Sequence, residues 1–126
     1  MSKHILLCDD EPSIIRAAEI KLSRAGYRVT CCGDGIAALE AIEREKPDLL
    51  ITDCQMPRMG GLDLIRNLRE REATHDLPIY MITAKGFELS VDSLRQQWNV
   101  LGVIPKPFSP REMLKLIDEL FAVGAV

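Results

Sequence analysis

Residues 49–61 read LLITDCQMPRMGG, and the reading of this stretch decides the fold. Leu49, Leu50 and Ile51 form an unbroken apolar run, the pattern of a strand buried on both faces. The run stops at Asp53, and a proline and a Gly-Gly pair follow. A buried strand that ends on a carboxylate calls for a reason. One reason is capping, since aspartate often closes a turn or opens a helix. The other is chemistry displayed at the end of the strand.

On both sides of this stretch, short apolar runs alternate with segments of helical period. HILLC (4–8), YRVTCC (27–32), DLLIT (48–52), PIYMIT (78–83) and VLGVI (100–104) read as strands. Ile14, Ile15, Ala18, Leu22 and Ala25 share one helical face, with Gly26 as a natural stop. Ala38, Leu39 and Ile42 predict a short helix that ends before Pro47. Leu62, Ile65 and Leu68 predict another after the glycine pair. Val91, Leu94, Trp98 and Leu101 carry a fourth stripe whose start is poorly marked. The last helix opens on SPRE (109–112), with Ser109 at N-cap, Pro110 at N1 and Glu112 at N3. Met113, Leu114, Ile117, Leu120 and Phe121 follow as its apolar face.

The chain has 126 residues, 47% of them hydrophobic and 28% charged, which suits one globular domain with a core that needs no disulfide or metal. A net charge of −3 suggests neither a nucleic-acid-binding nor a membrane-binding surface. No apolar run approaches the ~18 residues of a membrane span. The start, MSKHILLCDDEP, is too acidic after its brief apolar run for a signal peptide, so a cytoplasmic location is expected. Cys8, Cys31, Cys32 and Cys54 form no CxxC pair and have no histidine cluster beside them. Zinc is not expected, and small apolar filler in a reducing compartment is the plain reading. Cys54 adjoins Asp53, but nothing nearby in the sequence argues for a reactive thiol.

Five strand–helix units in succession predict an α/β fold, a doubly wound five-stranded parallel sheet with helices on both faces. In such folds the functional residues lie just past the carboxyl ends of the strands. Those positions hold Asp9, Asp10 and Glu11 after the first strand and Asp53 after the third. Thr83 ends the fourth strand and Lys106 follows the fifth. With the order 2-1-3-4-5, strands one and three are neighbours, and Asp9, Asp10 and Asp53 meet. Three carboxylates and one ammonium leave a formal −2 there. At about 4 Å and an effective dielectric of ~20, each like-charge pair costs roughly 4 kcal/mol. A hard divalent cation relieves that repulsion, and Mg²⁺ suits a small oxygen-donor site. A phosphoryl group then fits between the cation, Lys106 and the Thr83 hydroxyl, with Asp53 as the nucleophile that accepts it.

DDEP (9–12), DCQMPRMGG (53–61), ITA (82–84) and KPF (106–108) together resemble the receiver domain of two-component response regulators, a CheY-like, flavodoxin-like fold. The resemblance spans the chain, and the order 2-1-3-4-5 belongs to it. It implies that Asp53 accepts the phosphoryl group, that Asp10 and Asp53 ligate Mg²⁺ directly, and that Asp9 acts mainly through water. It implies that the Gln55 backbone carbonyl completes the protein ligands, that Lys106 contacts the phosphoryl group and that Thr83 is the switch hydroxyl. Ala84, being small, leaves the site open, and the Lys106–Pro107 peptide is expected to be cis. A sensor histidine kinase or a phosphotransfer protein is the implied donor, in a phosphorelay whose downstream protein the sequence does not name. The chain is expected to be one receiver domain over 1–126 with no output domain, an acceptor rather than a turnover enzyme, with no direct nucleic-acid or membrane partner.

Two positions depart from the family pattern. Val103 stands three residues before the lysine, where the family usually has Tyr or Phe. Trp98 stands where such domains commonly carry a small residue, either as an exposed binding aromatic or packed on the adjacent strand; Asn99 after it tolerates a left-handed helix stop. Three rivals remain. GDGIAA (33–38) mimics a dinucleotide fingerprint, but at the second strand–helix turn and in a chain too short for two mononucleotide halves. An aspartate-nucleophile phosphohydrolase needs an acid–base carboxylate where Gln55 stands. A receiver-shaped interaction module that is not regulated by phosphorylation is the alternative that Val103 keeps open.

Overall fold

The structure, a computed structural model, describes residues 2–84 and 91–122, with residues 91–94 described by backbone alone. Ten elements alternate: β1 (His4–Cys8), α1 (Pro12–Arg24), β2 (Arg28–Cys32), α2 (Gly35–Arg44), β3 (Leu49–Asp53), α3 (Gly61–Arg69), β4 (Ile79–Thr83), α4 (Val91–Trp98), β5 (Gly102–Pro105) and α5 (Pro110–Ala122). The five strands form one parallel sheet in the order β2-β1-β3-β4-β5. The expected doubly wound architecture and strand order are those observed.

The strands are apolar throughout because each faces two cores. Side chains alternate across a strand. Leu6, Cys8, Leu50, Ile79 and Met81 pack against α2 and α3, through Ala38, Ile42, Leu64, Ile65 and Leu68. Ile5, Leu7, Leu49, Ile51 and Ile82 pack on the other face against α1 and α5, through Ala18, Leu22, Met113 and Ile117. The central strands β1 and β3 are buried at every position.

Local chemistry sets the helix starts. Pro12 opens α1 behind Glu11, whose amide donates to Asp9 Oδ1 at 2.9 Å. Asp34 caps α2 by accepting from the Ala37 amide at 2.8 Å. The Ser109 hydroxyl accepts from the Glu112 amide at 3.0 Å, so the Ser109 cap expected at α5 is present.

The boundaries moved most around the fourth helix and the fifth strand. The stripe expected through Leu101 stops at Trp98, because Asn99 turns left-handed with φ 55°. Val91 and Leu94 lie outside the residues with described side chains. The fifth strand starts at Gly102 rather than Val100; Leu101 N–H first bonds the Ile79 carbonyl at 2.8 Å. Arg69 of α3 fixes this corner by donating to the Trp98 carbonyl at 2.7 Å and the Asn99 carbonyl at 3.1 Å. Trp98 is half-buried against the α2–α3 core, so it is packed rather than displayed. Val103 packs against the same core.

The two-core layout has a direct consequence for stability. Ile51 is fully buried at the sheet centre, so Ile51→Ala should cost about 2–5 kcal/mol. Ile20 is 40% exposed on α1, and Ile20→Ala should change stability by only about 0.5 kcal/mol. Urea unfolding of the two variants checks the contrast.

Candidate functional site

Asp53 is the last residue of β3 and only 4% exposed. Its burial follows from parallel pairing: Asp53 stands opposite Ile82 on β4, and the next amide, of Cys54, bonds the Ile82 carbonyl at 3.1 Å. The chain must then turn at once to start α3. Gly61 makes this possible, because a Cβ there would run into the carbonyl of Asp53. Its amide donates to the Cys54 carbonyl at 3.0 Å. The glycine pair in the opening stretch therefore folds the β3–α3 loop tightly behind the carboxylate.

The same loop rests on α2. Gly35 N–H donates to the Met59 carbonyl at 2.9 Å, and a Cβ on Gly35 would lie 2.7 Å from that oxygen. Arg58 adopts φ 63° and forks onto Asp34, with Nη2–Oδ2 at 2.9 Å and Nε–Oδ2 at 3.1 Å. These contacts account for Gly35 of GDGIAA, whereas a Cβ on Gly33 would meet nothing. Gly35 serves a close helix–loop approach, and Asp34 before it caps α2.

Three acidic side chains converge as the sequence predicts. One oxygen from each of Asp9, Asp10 and Asp53 lies within 4.8 Å of the others. Asp9 is 2% exposed and Asp10 is exposed. Lys106 arrives from the loop after β5 with its side chain 12% exposed. Its Nζ lies 2.9 Å from Asp53 Oδ2 and 3.1 Å from Asp9 Oδ2. The Lys106 amide donates to the Thr83 carbonyl at 2.7 Å, and the Lys106–Pro107 peptide is cis, as expected. Thr83 ends β4, is 6% exposed and sits one residue beyond Ile82, the partner of Asp53. Gln55 reaches Asp53 through its amide, which donates to Oδ1 at 3.2 Å.

Glu11 is the participant to which sequence reasoning gave no role. Its Oε1 lies 2.7 Å from Lys106 Nζ, closer than either aspartate. Its position after DD was the only signal in the sequence. Glu11 makes a fourth carboxylate at the site, three of the four contacting the ammonium, for a formal −3 rather than −2.

Burial and charge compete at these groups. Burial pushes the Asp9 carboxyl above the usual aspartate range, opposed by the Glu11 amide and the Lys106 ammonium. For Lys106, burial works to lower the pKa, but Glu11, Asp53 and Asp9 together outweigh it and raise it. The lysine stays charged at any ordinary pH. Asp9 Oδ2 pairs with the ammonium at 3.1 Å, but this buried oxygen has no hydrogen-bond partner. Burial also pushes the Cys54 thiol up, with the Asp53 carboxylate adding to the effect, which argues against a reactive Cys54. Among the described residues no helix is long and apolar enough to cross a membrane.

Known proteins share both this sequence pattern and this fold. The family described as response regulator receiver domain matches residues 5–118. The chain is 38% identical over 121 residues to the alkaline phosphatase synthesis transcriptional regulatory protein PhoP of Bacillus subtilis, covering 90% of this chain and 46% of that protein. It spans about half the length of the curated relatives it matches. Chemotaxis protein CheY4 of Vibrio cholerae superimposes with a TM-score of 0.84 at 27% identity, covering 94% of this chain and 98% of that one. The receiver domain of sensor histidine kinase PA1611 from Pseudomonas aeruginosa, solved with a magnesium ion coordinated in its active-site cleft, gives a TM-score of 0.76 at 27% identity, over 94% and 97% of the two chains. The acidic strand ends, the strand order and the extent of these matches agree: the chain belongs to the response regulator receiver domain family.

Proposed function

We propose that Asp53 is the phosphoryl acceptor through which this receiver domain takes part in two-component signalling. The observation that carries this reading is the setting of its carboxylate. One oxygen lies 2.9 Å from the Lys106 ammonium and the other 3.2 Å from the Gln55 amide, at a buried strand end with acidic neighbours. A carboxylate so held is oriented for attack, and the ammonium is placed to meet the charge of an incoming phosphoryl group. The donor is a phosphohistidine of a sensor histidine kinase or phosphotransfer protein, or a small acyl phosphate. An Asp53 oxygen attacks phosphorus, the bond from phosphorus to the donor breaks, and a phosphohistidine donor leaves as an imidazole that takes up a proton.

Mg²⁺ fits the donor set. Asp9, Asp10 and Asp53 offer hard oxygens within 4.8 Å of one another, and the buried Asp9 Oδ2 lacks a hydrogen bond. When bound, the ion supplies charge neutralisation between these carboxylates and the phosphoryl oxygens. Asp10 and Asp53 would hold it directly, Asp9 mainly through water, and the Gln55 carbonyl would complete the set. The relative solved with magnesium in its cleft supports this assignment.

Thr83 and Lys106 are the groups placed to respond once Asp53 carries the added charge. Both lie on the β4–β5 side, so the response should spread through β5 and α5 to an as yet unnamed downstream partner. The alternative is an interaction module that is not regulated by phosphorylation. One observation favours it: Val103, at the usual aromatic position, packs in the core and has no ring to move.

Asp53→Asn should reduce phosphoryl incorporation from a small acyl phosphate to background while leaving the circular dichroism spectrum unchanged; equal labelling of the variant would refute the acceptor assignment. Asp10→Ala should weaken Mg²⁺ binding by about tenfold or more, ~1.4 kcal/mol, and Asp9→Ala should weaken it less. Calorimetric titration of both variants decides that order. Thr83→Ala should still be phosphorylated but lose the amide shift changes along β5 and α5 that phosphorylation of the parent chain produces, as read by NMR.

A further inference from the structure

Cys8 closes β1, Cys32 closes β2, and the two residues are directly paired in the parallel ladder. Paired residues on neighbouring strands project to the same face. Both side chains accordingly pack in the core beneath α2 and α3, whereas Cys31 packs on the opposite face and is paired with Leu7. Neighbouring strands run about 4.8 Å apart, within the Cα separation of about 4.4–6.8 Å that a disulfide bridges. The Cβ atoms need to approach to roughly 3.5–4.5 Å. Both residues end their strands, and β2 is the sheet edge, so Cys32 can close the approach while Cys8 keeps its pairing with Thr52 on β3.

The two thiols differ in access. Cys8 is fully buried. Cys31 and Cys32 are both half-buried and line an open cavity of about 420 Å³ with Asp9, Asp10, Ile15 and Pro57. A small oxidant therefore meets Cys31 and Cys32 before Cys8, and of these two only Cys32 has Cys8 beside it on its own face. That is the arrangement of an attacked thiol and its resolving partner.

We propose that Cys8 and Cys32 form a reversible disulfide on exposure to hydroperoxides, a modification site separate from the phosphoryl acceptor. The Cys32 sulfur attacks the peroxide, the O–O bond breaks, and Cys32 becomes a sulfenic acid as water or an alcohol leaves. The Cys8 sulfur then attacks the Cys32 sulfur. The S–S bond forms, and the sulfenic oxygen departs as water with the Cys8 thiol proton. Two thiols are oxidised and one peroxide is reduced, and an external dithiol reverses the bond. A Cys31–Cys32 bond is the poorer geometry, because successive strand residues point to opposite faces. No step uses Asp53, so the inference stands apart from the phosphoryl chemistry.

The test treats the folded full chain with hydrogen peroxide, removes the excess, blocks remaining thiols under denaturing conditions and maps the cysteines by mass spectrometry. The parent chain and Cys31→Ser should both lose two hydrogens, carry a Cys8–Cys32 cross-link in the fragment spectra, and regain free thiols with dithiothreitol. Cys32→Ser should form no such link, and Cys8→Ser should leave a Cys32 sulfenic acid that a dimedone probe captures. A Cys31–Cys32 link in the parent chain, oxidation confined to Cys54, or retention of both free thiols at Cys8 and Cys32 overturns the proposal. The parent-chain map decides the matter even where a variant fails to fold.

Discussion

The Lys106 ammonium is the contact on which the site depends. In the sheet order, β5 touches only β4, yet the loop behind it sends Lys106 across to Asp53 on β3 and to Asp9 and Glu11 beyond β1. Without that positive charge, each pair of carboxylates at about 4 Å would cost roughly 4 kcal/mol at an effective dielectric of ~20. With it, four acidic side chains tolerate one another at the end of an otherwise apolar sheet. Excess negative charge remains, which a hard cation would neutralise.

Much of this was legible in the sequence because strand ends are easy to read in a doubly wound fold. Continuous apolar runs such as HILLC and DLLIT mark strands buried on both faces, and the first polar residue after each lies on the functional edge. Asp9, Asp10, Asp53, Thr83 and Lys106 were found that way, and the structure brings them to one edge. Glu11 was visible as a position but not as a contact, since its link to Lys106 spans 95 residues of chain. No local pattern encodes such a pairing.

Sequence spacing misread one feature and left others unexplained, for physical reasons. The stripe through Leu101 keeps helical spacing, but Asn99 leaves the helix by a backbone angle that spacing does not record. GDGIAA looks like a phosphate cradle because glycine signals close backbone approach without saying what approaches. Here Met59 of the β3–α3 loop approaches Gly35. Trp98 had two readings in sequence, and only packing against the α2–α3 core chose between them.

The tight seating of that loop has a mechanical consequence. Gly61 presses against the Asp53 carbonyl, Gly35 against Met59, and Arg58 is clasped by Asp34. On this flank the loop behind Asp53 is bolted to two helix starts and leaves little slack. On the opposite flank Lys106 reaches Asp53 through its side chain alone, while its amide bonds the Thr83 carbonyl at the end of β4. The glycines thus act as an anvil: they make this flank the stiff side of Asp53.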